Sequence, residues 1–297
     1  MRVMTIRPPS VAGSFYPAKP AVLATLVDEL LARAGRLTHG ADPLPAEILG
    51  LLVPHAGLVY SGVVAAAGWR LLGMAPADPP PTVVLLGTNH GDPWLDGVAV
   101  WEDGGWRTPL GDVIVDADLA GAIAGLGSPF VVDPVAHVGE HSIEVQLPLL
   151  QAVRPEVPIV PLSVAAGTGV DAIEAGERLG DLLARQRAGG RPVVIAISSD
   201  MAHYPADAAC AAVTDELLPS ILRLDPVSLA RAERRVMDGV TPGLVCGMCG
   251  IQPTVLGLAA LHALGATRGS RLAAATSADA GGSSDRTVGY LAVAFTA

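Results

Sequence analysis

Three apolar runs in this chain each stop at a short polar cluster carrying a histidine, and that pattern narrows the folds open to it. Ile48–Val53 leads into Pro54-His55-Ala56-Gly57, and Val83–Leu86 into Gly87-Thr88-Asn89-His90-Gly91. Val193–Ile197 leads into Ser198-Ser199-Asp200-Met201-Ala202-His203-Tyr204. Runs so short and uniformly apolar suit strands covered on both faces. In an open α/β sheet, the loops beyond the strand carboxyl ends converge on one crevice. If the three strands are neighbours, three histidines and a carboxylate meet there. Such a set suits a transition metal or acid–base chemistry.

The rest of the chain keeps the same alternation. Helical patterns cover Ala21–Arg33, Ser61–Leu72, Ala117–Ala124, Glu140–Val153, Asp171–Arg187, Asp207–Leu222, Pro226–Met237 and Thr254–Leu264. Further strand-like runs are Gly97–Trp101, Val157–Val160, Arg271–Ser277 and Val288–Phe295. The expectation is an α/β fold built of βαβ units, a mostly parallel central sheet with helices on both faces. No Pro-, Ser- or charge-rich run is long enough to link domains, and Ala75–Pro81 reads as a helix-to-strand loop. One domain over residues 1–297 is therefore expected, and 51% apolar residues can fill its core.

Charge restricts the partners. Nineteen Lys and Arg against 29 Asp and Glu leave a formal charge of −10. Nucleic acid and anionic membranes need a basic footprint, so neither is expected as a partner. A small anionic ligand held by one arginine remains compatible. Ile48–Trp69 has no charged residue and is long enough to mimic a membrane span, but Pro54, His55 and recurring glycines break it. Met1–Ser10 has no apolar run of the secretory kind, and three cysteines suggest a reducing cytoplasm without a disulfide framework.

Particular residues carry the candidate chemistry. Pro54 ends its strand and Gly57 lets the chain turn, so His55 sits in a tight loop as a metal ligand, a base or a plain surface histidine. His90 repeats the design between Gly87 and Gly91, with Asn89 as a donor supporting it. Asp200 and His203 are three apart, as on one face of a helical turn. Asp200 could bind metal, orient an imidazole or cap the next helix, and His203 could carry protons. His141 and Glu144, in Glu140-His141-Ser142-Ile143-Glu144, would share a helix face and support the site, although capping by Glu140 and Ser142 also explains the motif. Arg107 and Ser199 are the candidates for holding an anionic substrate. His39 reads as a loop residue, His262 as part of a helix face, and His137 has no comparable setting.

Cys246-Gly247-Met248-Cys249-Gly250 has no second Cys pair to complete a zinc ribbon. It precedes a helix, where a thiol has a lowered pKa and is a better nucleophile or ligand. Cys210 and Cys246 also fit a role as small buried residues. No Walker loop, no Gly-x-Gly-x-x-Gly after a strand and no Gly-x-Ser-x-Gly elbow occur, so neither a nucleotide cofactor nor a serine nucleophile is expected.

Taken in order, Ala12-Gly13-Ser14-Phe15-Tyr16-Pro17, Pro54-His55-Ala56-Gly57, Gly87-Thr88-Asn89-His90, Thr108-Pro109-Leu110-Gly111, Glu140-His141-Ser142-Ile143-Glu144, Ser198-Ser199-Asp200, Cys249-Gly250 and Val288-Gly289-Tyr290 resemble the Memo family. Its bacterial and archaeal members are called AmmeMemoRadiSam system protein B. The resemblance runs from about residue 10 to the C-terminus and implies the fold of class III extradiol dioxygenases, which are non-haem iron enzymes. It implies His55, His90 and Cys249 as metal ligands for iron or copper, with zinc possible. Asp200 and His203 would line the same pocket, His203 as the acid–base group. It also implies peptide or small-molecule ligands, and radical-SAM and AMMECR-type protein partners. Two departures matter. Thr88 replaces the usual proline of Gly-Pro-Asn-His, which loosens the turn. Cys249 stands where the dioxygenases carry a carboxylate, and a thiolate is softer, favouring Cu(I) or Zn over Fe(II). Ring cleavage therefore does not follow from the fold. Three readings result: a metal-dependent redox protein, a non-catalytic peptide or anion-binding module, and an accessory subunit of a radical-SAM system.

Overall fold

The computed structural model describes residues 5–37, 47–74, 78–165 and 171–297. His39 and residues 75–77 of the expected Ala75–Pro81 loop lie outside them. The strands are β1 (Ile6–Arg7), β2 (Gly50–Val53), β3 (Thr82–Thr88), β4 (Val98–Val100), β5 (Gly105–Thr108), β6 (Gly111–Ile114), β7 (Phe130–Val132), β8 (Ile159–Val164), β9 (Val193–Ser198), β10 (Arg268–Thr276) and β11 (Gly289–Thr296). The α-helices are α1 (Pro20–Leu37), α2 (Leu58–Met74), α3 (Ala117–Ala124), α4 (Leu147–Val153), α5 (Ala172–Ala188), α6 (Asp207–Leu222), α7 (Pro226–Asp238) and α8 (Ile251–Leu264).

Eight strands form one mixed, mostly parallel sheet in the order β10-β11-β2-β9-β3-β8-β4-β7. The three runs that end in histidine clusters are adjacent, because β9 lies between β2 and β3 and runs parallel to both. Their carboxyl ends therefore open on one side. Val53 pairs with Ser198 and Leu86 with Ile197, which brings the three loops out together. The antiparallel pairs are β10/β11, β11/β2 and β4/β8. A smaller sheet of order β1-β5-β6 stands apart from these eight strands.

Alternation along β2 shows which helix covers which face. A Cβ on Gly50 would collide with Leu261 of α8, whereas one on Gly68 of α2 would meet Val53 and Leu51. Successive strand residues point to opposite faces, so α2 and α8 lie on opposite sides of the sheet. α1 and α4 pack beside α2, while α5 and α7 pack beside α8. With both faces covered, β2, β3, β8 and β9 are buried throughout, which explains their unbroken apolar character.

The stretch Ile48–Trp69 divides into β2, a turn and the start of α2. Among the described residues, no helix is long and apolar enough to cross a membrane. The helix expected over Glu140–Val153 is shorter. A 3-10 turn covers Glu144–Gln146, and α4 begins at Leu147 with Pro148 in its first turn. Pro lacks an amide proton and suits that position.

Candidate metal centre

His55 follows β2 by two residues and is almost wholly buried. Asp200, just past β9, fixes its loop: Oδ1 accepts the amides of His55 at 2.7 Å and Ala56 at 3.2 Å. Behind the loop, the Leu58 amide bonds to the Phe15 carbonyl at 2.8 Å. The imidazole Nδ1 of His55 lies 3.0 Å from Ser198 Oγ, and Nε2 lies 3.2 Å from Cys249 Sγ.

His90 follows β3 by two residues. The buried carboxylate of Glu140 accepts the His90 amide at 2.6 Å and lies 3.0 Å from its Nδ1. The same carboxylate accepts the amides of His141 and Ser142, each at 2.8 Å. That arrangement places His141 against His90, rings stacked with centroids 4.6 Å apart. The His55 ring stands edge-on to both at 5.3 Å, and Phe15 covers His141 at 4.7 Å. Burial would raise the Glu140 pKa. The His90 hydrogen bond and charge, with the His90 and Ser142 amides, outweigh it and hold the group well below the carboxylate range.

Cys249 reaches the histidines because Gly250 permits close approach. Gly250 donates its amide to Ser199 Oγ at 2.9 Å, and a Cβ on it would lie 2.5 Å from Ser199 Cβ. One ligand atom from each of His55, His90 and Cys249 lies within 4.8 Å of the others. Tetrahedral metal–nitrogen and metal–sulfur bonds of about 2.0–2.3 Å place donors about 3.4–3.6 Å apart. The donor set therefore fits a transition metal after small side-chain adjustments. Both histidines also have Nδ1 held by an oxygen and Nε2 left for the ligand, the usual arrangement of metal-bound imidazoles. Two further groups share these residues: His90 with Glu140 and His141, and Asp200 with His203 and Cys249.

His203 Nε2 lies 3.9 Å from Asp200 Oδ2 and is a buried nitrogen without a hydrogen-bond partner. Burial pushes Asp200 up to about 7, against the pull of the His55 and Ala56 amides. Burial, reinforced by His90 and His141, lowers His203 to about 4. Burial likewise keeps His55 well below its ordinary value, with His141 and His90 adding to the effect. Burial and then the Asp200 charge push the Cys249 thiol well up, so burial overrides the lowering expected of a thiol near a helix N-terminus.

The Memo-like protein family model matches residues 7–294. The chain belongs to this family. A MEMO1 family protein of Methanopyrus kandleri is 36% identical over 293 residues, covering 97% of this chain and 98% of its own. One of Aquifex aeolicus is 36% identical over 300 residues, covering 98% and 100%. The crystal structure of an uncharacterized protein from Escherichia coli K12 superposes with a TM-score of 0.54 at 16% identity, covering 84% of this chain and 100% of that one. At that identity the likeness speaks for the fold alone.

The Memo-like structure brings together His55, His90, His141, Asp200, His203 and Cys249, and it assigns other residues differently. Asp200 and His203 do not share a helical turn. They lie in a loop where His203 bridges Cys246 and Val288, and α6 begins only at Asp207. Asp200 therefore does not cap that helix. Glu144 turns away from His141 and is consumed by Arg7, Tyr16 and the amides of Ser10 and Val11. Asn89 directs its amide to Ala136 and Ser163 and accepts from Asp92, so it holds the His90 loop and not the ring. Ser199 is fully buried, its Oγ accepting the Gly250 amide, donating to the Asp200 carbonyl and lying 3.9 Å from Cys249 Sγ. Arg107 forms a two-pronged pair with Asp112 on the β5–β6 hairpin. Arg107 is thus an exposed hairpin arginine paired with a surface carboxylate, whereas Ser199 is enclosed within the core. Glu140, Ser142, Gln146 and Ser198 are functional neighbours that sequence reasoning passed over or read as caps. For the first three the signal was the density of polar residues in Glu140–Gln146, a segment that is otherwise core, and for Ser198 its place at the end of β9.

Proposed function

We propose that this Memo-like protein is a metal-dependent redox protein of extradiol-dioxygenase-like architecture, acting on a small molecule with iron or copper held by His55, His90 and Cys249. The observation that carries this reading is the convergence of two Nδ1-anchored imidazoles and one thiol within 4.8 Å. Iron or copper bound there would supply electron-transfer and oxygen chemistry. The chain's own residues supply the rest. Asp200 uses Oδ1 to hold the His55 loop and presents Oδ2 toward His203. His203, with its buried Nε2 unpartnered, is placed to take a proton from a substrate and return it. His141 and Phe15 wall the pocket beside His90. Deprotonated on binding a metal, Cys249 would make the donor set softer than that of a carboxylate-bearing iron site and would favour copper more than such a site does.

Metal analysis of anaerobically purified protein tests the proposal. The native protein should retain a stoichiometric iron or copper ion, and the His55→Ala/His90→Ala variant should lose it. Equal metal content in both would sink the reading.

A further inference from the structure

The metal reading needs His55 to present a bare Nε2, and the source of that tautomer can be traced bond by bond. Trp69, Gln146, Ser142 and Ser198 are all fully buried, so solvent does not enter the accounting. The indole Nε1–H of Trp69 can only donate, and it donates to Gln146 Oε1 at 2.9 Å. This orients the amide, and Gln146 Nε2 then donates to the Pro54 carbonyl and to Ser198 Oγ, both at 2.9 Å. Reversing the amide would set donor against donor at Trp69 and oxygen against oxygen at Pro54. The Ser198 hydroxyl lies 2.6 Å from the Ser142 carbonyl, which can only accept, so the single Ser198 proton is spent there. Ser198 Oγ has nothing left to donate to His55 Nδ1, 3.0 Å away, and must accept from it.

We infer that Ser198, held by Gln146 and Trp69, is a positioning residue that fixes His55 as its Nδ1–H tautomer and leaves the Nε2 lone pair facing Cys249. Neutral imidazole in water favours the opposite tautomer, so the protein must impose this one. The same segment treats the two histidines differently. Glu140 holds His90 directly with a charged acceptor, whereas Ser142 and Gln146 hold His55 through a neutral hydroxyl.

The test uses metal-free protein with ¹⁵N-labelled histidine, at a pH where ordinary imidazoles are neutral. Long-range ¹H–¹⁵N correlation spectra report which nitrogen of each ring carries the proton, and the His55→Gln spectrum identifies the His55 signals. The expected result is a proton on Nδ1 of His55 in native protein, its transfer to Nε2 in Ser198→Ala, and its return in Ser198→Thr. A native His55 protonated on Nε2 overturns the inference, as does an unchanged tautomer in Ser198→Ala. If neither variant folds, the native spectrum decides alone. The link to metal binding rests on the proposed function and has its own readout. Zn(II) affinity, measured by chelator competition, should fall about 10–100-fold in Ser198→Ala and recover in Ser198→Thr. Unchanged affinity in Ser198→Ala overturns that link. Native protein that shows the Nδ1 proton but binds none of Zn(II), Fe(II) or Cu(I) refutes the metal reading and leaves the tautomer assignment supported.

Discussion

Arg7 and Glu144, 137 positions apart in the chain, form an ion pair of 2.6 Å with both side chains buried. The Glu144 carboxylate also accepts the Tyr16 hydroxyl at 2.6 Å and the Val11 amide at 3.0 Å. Arg7 in turn donates to the carbonyls of His137 and Glu140 and stacks over Trp106. One buried carboxylate thus ties down the N-terminal segment, whose Phe15 covers His141 of the candidate metal centre. Removing one partner of a buried pair leaves an uncompensated charge. Arg7→Met is expected to lower the unfolding free energy by about 3–5 kcal/mol. Urea denaturation of metal-free protein measures this, and a loss below about 1 kcal/mol would contradict it, being the size of an exposed pair.

Glu140 is the hinge of the His90 half of the site. Its two oxygens receive three backbone amides and the His90 ring. Glu140→Gln puts an NH2 group where one oxygen accepted a donor, and it removes the charge behind His90. Zn(II) affinity is expected to fall about 10–100-fold, the usual cost of losing such a supporting acceptor. Chelator competition checks it, and native affinity in the variant would show that Glu140 serves only the backbone.

His137 is expected to make the fold acid-sensitive. It is fully buried between Trp101 and Trp106, with Nε2 on the Ala99 carbonyl at 3.1 Å. Burial lowers its pKa from 6.5 to about 4. Above 6.5 the ring is neutral in both folded and unfolded chains, and its contribution is fully present. As the pH falls from 6.5 toward 4, the unfolded chain takes up a proton that the folded one refuses, and stability declines. The full loss is about 3 kcal/mol. The unfolding free energy of native protein minus that of His137→Leu protein should fall by about 3 kcal/mol as the pH drops across that window. A constant gap between the two curves would count against this assignment.

What could be read from the sequence divides along physical lines. The central strands were legible because burial on both faces makes them uniformly apolar, and parallel pairing then fixed the direction of their loops. His55, His90 and the Asp200/His203 pair were legible because each lies within a few residues of a strand end. β5 and β6 were not, since Gly105-Trp106-Arg107-Thr108 and Gly111-Asp112-Val113-Ile114 mix exposed and buried residues in a short hairpin. The role of Glu144 was hidden because its partners Arg7 and Tyr16 are more than a hundred residues away. The false helical turn through Asp200 and His203 had a local warning in Pro205, which stands before the true start of α6. Pro148 gave the same warning for α4.

Gly250 ties the packing of the α8 N-terminus to the candidate metal centre. A Cβ there would lie 2.5 Å from Ser199 Cβ, 2.6 Å from Ser199 Oγ and 2.8 Å from Thr88 Oγ1, all wholly or nearly buried atoms of the strand ends. Ser199 Cβ is fixed to the backbone and cannot rotate away, so the α8 N-terminus must retreat, and Cys249 retreats with it. Gly250→Ala is therefore expected to cost about 1–3 kcal/mol by overpacking. It should also draw the thiol away from His55 Nε2, now 3.2 Å distant, and weaken Zn(II) binding. Gly121→Ala is the matched control, because Gly121 lies within α3 and nothing stands within 4 Å of a Cβ built there. It should leave metal affinity unchanged and raise stability by about 0.4–1 kcal/mol. Binding in Gly250→Ala as tight as in Gly121→Ala would show that Cys249 is not held in place by this close approach.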